Sequence, residues 1–225
     1  MLERTVRWSG VAAIVFVVLI LISVFVSGQP PAADDSVDKI RTFLADHRSA
    51  LLIANLLGLI GIPLVLWFGV VLREVLRGDR TANALGTASL AGLLVTAPLA
   101  IVGGGLTSGA VYVDGVADKL GDDSVRILYE SQTLLFAATS AGLVLFSLTA
   151  GLAIHRTKAL PAYTMWLAFL VTVGNILAMF STVAPGASIL GLPGVLSFAL
   201  FVLVTGITMA AGKAAPLAEI RPALL

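Results

Sequence analysis

Three observations predict an all-α, six-helix transmembrane bundle. The 225 residues are 58% hydrophobic and 12% charged, whereas a soluble domain carries about 25% charged residues. That leaves too little polar surface to keep a folded chain in water. Six apolar stretches are each long enough to cross about 30 Å of hydrocarbon at 1.5 Å per residue. None of them has the alternating segments, roughly 10 residues long, of an outer-membrane barrel. Backbone groups in lipid must bond within their own segment, so the stretches read as helices.

The spans are placed at 9–27, 50–72, 84–106, 131–153, 162–182 and 190–211, and residues 1–225 read as a single integral membrane domain. Span one follows Arg4 and Arg7 and ends near "VSGQPPAA", features shared with a secretory signal. Its apolar run, Val11 to Val26, is longer than the roughly 7–15 residues of a signal core. A retained anchor is the preferred reading, with cleavage the alternative. In the first loop, "DDSVDKIRTFLADHR", Val37, Ile40, Phe43 and Leu44 recur at helical spacing. Asp34, Asp35 or Ser36 can cap such a helix. A short amphipathic helix on the outer surface is expected, either clamping the helix ends or covering a cavity.

Gly61 and Pro63 interrupt span two, and Pro98 interrupts span three. Proline removes an intrahelical hydrogen bond and kinks the axis. Span three then runs into "IVGGGLTSGAVYVDGVADKLGDD", Ile101 to Asp123. Gly105 and Gly109 are four apart, as are Gly104 and Ser108, which predicts a small-residue face where a neighbouring helix approaches closely. The rival reading is an unwound segment presenting backbone to a ligand, as in transporters. Asp114 and Asp118, further along and one helical turn apart, are candidates for a shared divalent cation, and no other metal site is expected. Pro185, Gly186, Gly191, Pro193 and Gly194 make the last connection a tight, uncharged turn.

Orientation follows from the basic residues. Nine (Arg4, Arg7, Arg73, Arg77, Arg80, Arg156, Lys158, Lys213 and Arg221) fall on one side of the spans. Five (Lys39, Arg41, Arg48, Lys119 and Arg126) fall on the other. The positive-inside rule puts both termini in the cytoplasm.

Asn55, Gln132 and Asn175 are the only amides within the spans, all toward the outer side, where Thr107, Ser108, Tyr112 and Glu130 also lie. An amide needs a partner beyond its own backbone turn. The three are therefore either interhelical glue, worth about 1 kcal/mol per bond, or the lining of a pocket. These seven residues are the candidate ligand site.

The remaining chemistry excludes several classes. The chain has no cysteine, hence no disulfide and no thiolate metal site. Its two histidines, His47 and His155, fall at opposite ends of their spans, so they cannot together ligate one haem or form a metal cluster. The glycines of "VGGGLTSG" lack the lysine of a phosphate loop. A net charge of +1 with scattered basic residues gives no footprint for nucleic acid. No catalytic residue and no cofactor is implied.

"FLADHRSALLIANLLGLIG", together with a basic turn and proline before span five, "HRTKALPAYTMWLAFLVTVGN", resembles an uncharacterised family of actinobacterial multi-pass membrane proteins. The likeness covers most of the chain. It implies a helical fold in a bacterial plasma membrane and carries over no catalytic residue. The expected function is non-enzymatic: binding of a membrane lipid or other apolar ligand, or of a membrane protein complex or second copy, through the outer half. The alternative is a small transporter or channel, with Asn55, Glu130, Gln132 and Asn175 along its path.

Overall fold

Seven α-helices account for nearly all the residues described in the computed structural model, which are 2–32, 35–113, 115, 119–183 and 190–214. They are α1 (Leu2–Ser27), α2 (Val37–Asp46), α3 (Arg48–Val75), α4 (Arg80–Val111), α5 (Asp122–Thr157), α6 (Ala162–Met179) and α7 (Gly191–Ala210). A 3-10 turn at Phe180–Thr182 continues α6. All but α2 are long and apolar enough to cross a membrane, so the chain is a multi-pass membrane protein.

Several helices outrun the apolar runs that announce them. The run in α5 begins near residue 131, but the helix starts at Asp122, and α4 continues to Val111 rather than stopping at residue 106. Hydropathy reports the part of a helix that suits lipid. Propagation needs only one further backbone bond per residue, and polar residues form it as readily as apolar ones. Side-chain caps fix two of the helix starts. Asp79 accepts a hydrogen bond from the Ala82 amide at the start of α4, and Ser36 accepts one from Lys39 at the start of α2. Asp34, another candidate cap, lies outside the described residues.

The six long helices close into a ring in which α1 packs on α3, α3 on α4, α4 on α5, α5 on α6, α6 on α7 and α7 on α1. Aromatic side chains fill part of the interior. Phe68, Phe146 and Phe201 are fully buried. Phe198 meets Phe16 and Phe146 edge to face at 6.1 and 6.0 Å, and Phe146 meets Phe201 at 5.7 Å, the geometry that the ring quadrupole favours. The outer surface is apolar, with Phe25, Trp166, Leu196 and Val173 strongly exposed, as side chains facing lipid should be.

Of the two small-residue pairs in "GGGLTSG", Gly104 faces a neighbour, the Asn55 side chain of α3, and the Gly105 and Gly109 pair does not. A Cβ added at Gly105 or Gly109 would meet nothing within 4 Å, so that face does not pack on a neighbour. The seam between α4 and α5 lies further back, at Gly92 and Gly142. A Cβ on Gly92 would come within 2.5 Å of the Gly142 carbonyl oxygen and the Phe146 amide nitrogen. Gly10 and Gly206 bring α1 and α7 together in the same way, and Gly174 lets α6 approach Pro193 of α7. The segment Gly103 to Gly109 stays helical within α4, which also disposes of the unwound reading. Pro63 and Pro98 are carried inside α3 and α4 without breaking either. Pro185 and Gly186 lie outside the described residues.

Candidate functional site

A cavity of about 410 Å³ occupies the interior between the aromatic cluster and α2. Its floor is Phe16, Val17, Val65, Leu93, Phe198 and Ala199. Its roof is Phe43 and Leu44 of α2 with Leu51, Tyr129 and the chain at Gly28 and Pro30. Leu51 and Val65 both line it and are fourteen residues apart on α3, as are Leu93 and Thr107 on α4. At about 1.5 Å per residue, the cavity is about 20 Å long. Side chains of α1, α3, α4, α5 and α7 surround this space. Phenylalanines of α1, α5 and α7 fill one part of it, while small residues (Ala54, Gly58, Ala97, Ala100 and Gly104) leave the other part open.

The roof is a small apolar cluster of its own. Ile40 and Leu44 are buried against Leu51, Ala110, Val111, Val125 and Tyr129. Four polar side chains tie it down. Arg41 donates to the Leu120 carbonyl at 2.5 Å and pairs with Asp122 at 2.8 Å, at the start of α5. Arg126 donates to the Asp35 carbonyl at 3.2 Å, and the Tyr129 hydroxyl to the Pro31 carbonyl at 2.5 Å. Arg48 donates through Nε to Val111 and through Nη2 to Tyr112, each at 2.9 Å, which satisfies otherwise unpaired carbonyls at the end of α4 and places a cation at its negative pole. Beside the roof, Lys39 pairs with Asp35 at 2.7 Å. That hydrogen bond, reinforced by the Ala32 amide, holds the Asp35 carboxyl below its usual pKa.

Among the candidate residues, the structure brings Asn55, Thr107 and Gln132 together on the cavity wall. Thr107 is satisfied by the Gly103 carbonyl at 3.4 Å. Neither the Asn55 nor the Gln132 carboxamide bonds to any described protein group. The Asn55 Oδ1 lies against the backbone of Gly104, where an added Cβ would collide with it. No Asp, Glu, Lys, Arg or His lines the cavity.

The other candidates do not join them. Asn175 is 2% exposed, and its Nδ2 donates to the Val171 carbonyl at 2.9 Å and to the Gly194 carbonyl at 3.5 Å, tying α6 to α7. Glu130 faces Arg126, 3.5 Å away, and remains half exposed. Tyr112 is 72% exposed at the end of α4. The Ser108 hydroxyl is buried without a partner but does not line the cavity. Period explains this division. Asn55, Gly104 and Gln132 fall on helix faces turned inward, whereas Tyr112 and Glu130 fall on faces turned away. Asp114 and Asp118 lie outside the described residues. Among the described residues no group of three or more Asp, Glu and His could hold a metal ion.

Sequence reasoning missed Phe43, Leu44 and Tyr129 as lining residues. The helical spacing of Phe43 and Leu44 was the available signal, because an amphipathic segment must bury its apolar face against something. In comparisons with known proteins, no family model matches the chain, and neither a curated protein nor a solved structure matches it.

Proposed function

We propose that this is a non-enzymatic membrane protein that binds a lipid-derived or other apolar small molecule in the cavity beneath α2. The observation that carries the reading is the cavity itself. It is large, elongated, almost wholly apolar, and bounded by packed elements at both ends. Its volume falls within the range of roughly 300–1,000 Å³ typical of small-molecule sites. Transport is the second reading, and the aromatic floor counts against it: Phe16, Phe198, Phe146 and Phe201 close the interior between the cavity and the far end of the bundle. With the basic-residue asymmetry, this reading puts the cavity and α2 in the outer half, both termini in the cytoplasm, and the protein in a bacterial plasma membrane.

Filling the cavity tests the proposal. Gly58 lines it, and a Cβ there would meet nothing within 4 Å, so Gly58→Leu projects into the space without displacing a neighbour. The purified wild type should carry an apolar species in near-stoichiometric amount, read by native mass spectrometry. The variant should keep its helical circular dichroism and lose that species. An unchanged bound species in a folded Gly58→Leu protein would refute cavity binding.

A further inference from the structure

We infer that the cavity selects an uncharged, single-chain amphiphile, with the Asn55 and Gln132 carboxamides hydrogen-bonding its hydroxyl, carbonyl or amide head. This rests on the apolar-ligand reading above and names the ligand class.

Three features lead there. The first is the amides. A primary carboxamide presents two donors and an acceptor, and in hydrocarbon surroundings leaving them unbonded is unfavourable. Asn175 solves this with protein carbonyls. Asn55 and Gln132 face the cavity with no described protein partner, and Gly104 leaves the room in which the Asn55 carboxamide sits. The second is charge. The arginines nearest the site, Arg41, Arg48 and Arg126, are engaged by carbonyls and carboxylates of the roof, and no charged side chain lines the cavity. An ionised carboxylate or phosphate brought inside would be buried without a counter-charge. The third is shape. The cavity is about 20 Å long by the helical rise along α3 and α4, yet only about 410 Å³ in volume. One extended chain suits it, whereas a whole two-chain phospholipid does not.

The membrane setting makes the polar pair decisive. Lipid tails are as apolar as the cavity wall, so moving an alkyl chain from bilayer to cavity gains little from the hydrophobic effect. Discrimination then lies with the head, which in the bilayer core would lack the partners that Asn55 and Gln132 supply. A site built to bond a polar group rejects the analogue lacking it, because its own groups are left unpaired.

The test uses the full-length protein in nanodiscs offered an equimolar mixture of hexadecanol, hexadecanamide, hexadecane and ionised palmitate, with bound species counted by native mass spectrometry. In wild type the alcohol and amide should exceed the alkane and the carboxylate by about tenfold. In Asn55→Leu/Gln132→Met the ratio of alcohol to alkane should fall towards one while the alkane is still retained. Gly104→Ala, which displaces the Asn55 carboxamide without removing it, should lose part of the preference, and single Gln132→Met provides a milder variant should the double one not fold. Equal occupancy of alcohol and alkane in wild type, or a preference that survives in the folded double variant, would overturn recognition by the amides while leaving apolar binding intact. Dominance of palmitate, or a phospholipid that excludes all four probes, would overturn the uncharged single-chain ligand. Binding of no probe and no lipid would overturn the apolar-ligand reading as well.

Discussion

Asn55, Gln132 and Asn175 look alike in the sequence: each is an amide in the same half of an apolar span. Their surroundings separate them. Asn175 faces α7, where Gly194 brings a carbonyl within reach, so it acts as a helix-to-helix tie. Asn55 and Gln132 face a space that small residues leave open. The glycines repeat the lesson. Gly105 and Gly92 are both helical glycines of α4, but only Gly92 touches a neighbouring backbone. Gly92→Ala should therefore force α4 and α5 apart and lower stability by about 1–3 kcal/mol, the usual cost of overpacking. Gly105→Leu should leave the detergent melting temperature within error of wild type, or raise it slightly through better helix propensity. Melting both variants by circular dichroism checks the assignment, and a larger loss at Gly105 than at Gly92 would reverse it.

At the scale of elements, the six spans were legible because lipid imposes a length and a composition on any segment that crosses it, and both can be counted. The helix ends were not, because backbone propagation and capping set them and hydropathy is blind to both. The nine residues of α5 before residue 131 include Asp122, Asp123, Ser124, Arg126 and Glu130 and are helical all the same. The cavity was not legible either. Side chains such as Val65, Leu93 and Phe198 line it, and their pattern is the same as that of residues packed on a neighbour. Asn55 and Gln132, with the apolar spacing of Phe43 and Leu44 in α2, were the signals of it. The N-cap of α4 was readable in kind, since Asp precedes the helix, but its partner from α5 was not. Arg156 pairs with Asp79 through Nε at 2.8 Å, a contact 77 residues apart in sequence. That hydrogen bond, followed by the Ala82 amide, pulls the Asp79 pKa from 3.8 to about 2. A folded-state pKa below the unfolded one means that the contribution of this carboxylate is complete above pH 3.8 and is lost as pH falls through about 2. Asp79→Asn keeps the cap but not the charge. It should melt below wild type at neutral pH, and the difference should shrink to nothing as pH drops through that window. A gap that persists at the acid end would assign the effect to something other than ionisation of Asp79.

For the whole molecule, the ring and its roof define two unlike ends. One end carries α2, the start of α5 and the end of α4, joined by Arg41, Arg48, Arg126 and Tyr129. The other carries the turn between α3 and α4 and the link between α5 and α6, joined by Asp79 and Arg156. Each end is held by polar contacts that need water or a headgroup region beside them, so residues exposed at the two ends must lie on opposite faces of the membrane. The proposed orientation puts the α2 end outside, because five basic residues flank the spans there against nine at the other end. The chain has no cysteine, so single cysteines report without background. Asp38 and Asp123 are exposed at the α2 end, and Arg77 and Lys213 at the other. Cysteines at Asp38 and Asp123 should react with an impermeant maleimide on intact cells. Those at Arg77 and Lys213 should react only after lysis. The reverse pattern would keep the fold and invert the protein, opening the roof of the cavity to the cytoplasm. Labelling of all four on intact cells would contradict the six-span arrangement itself, since both ends cannot then face the same side across helices of this length.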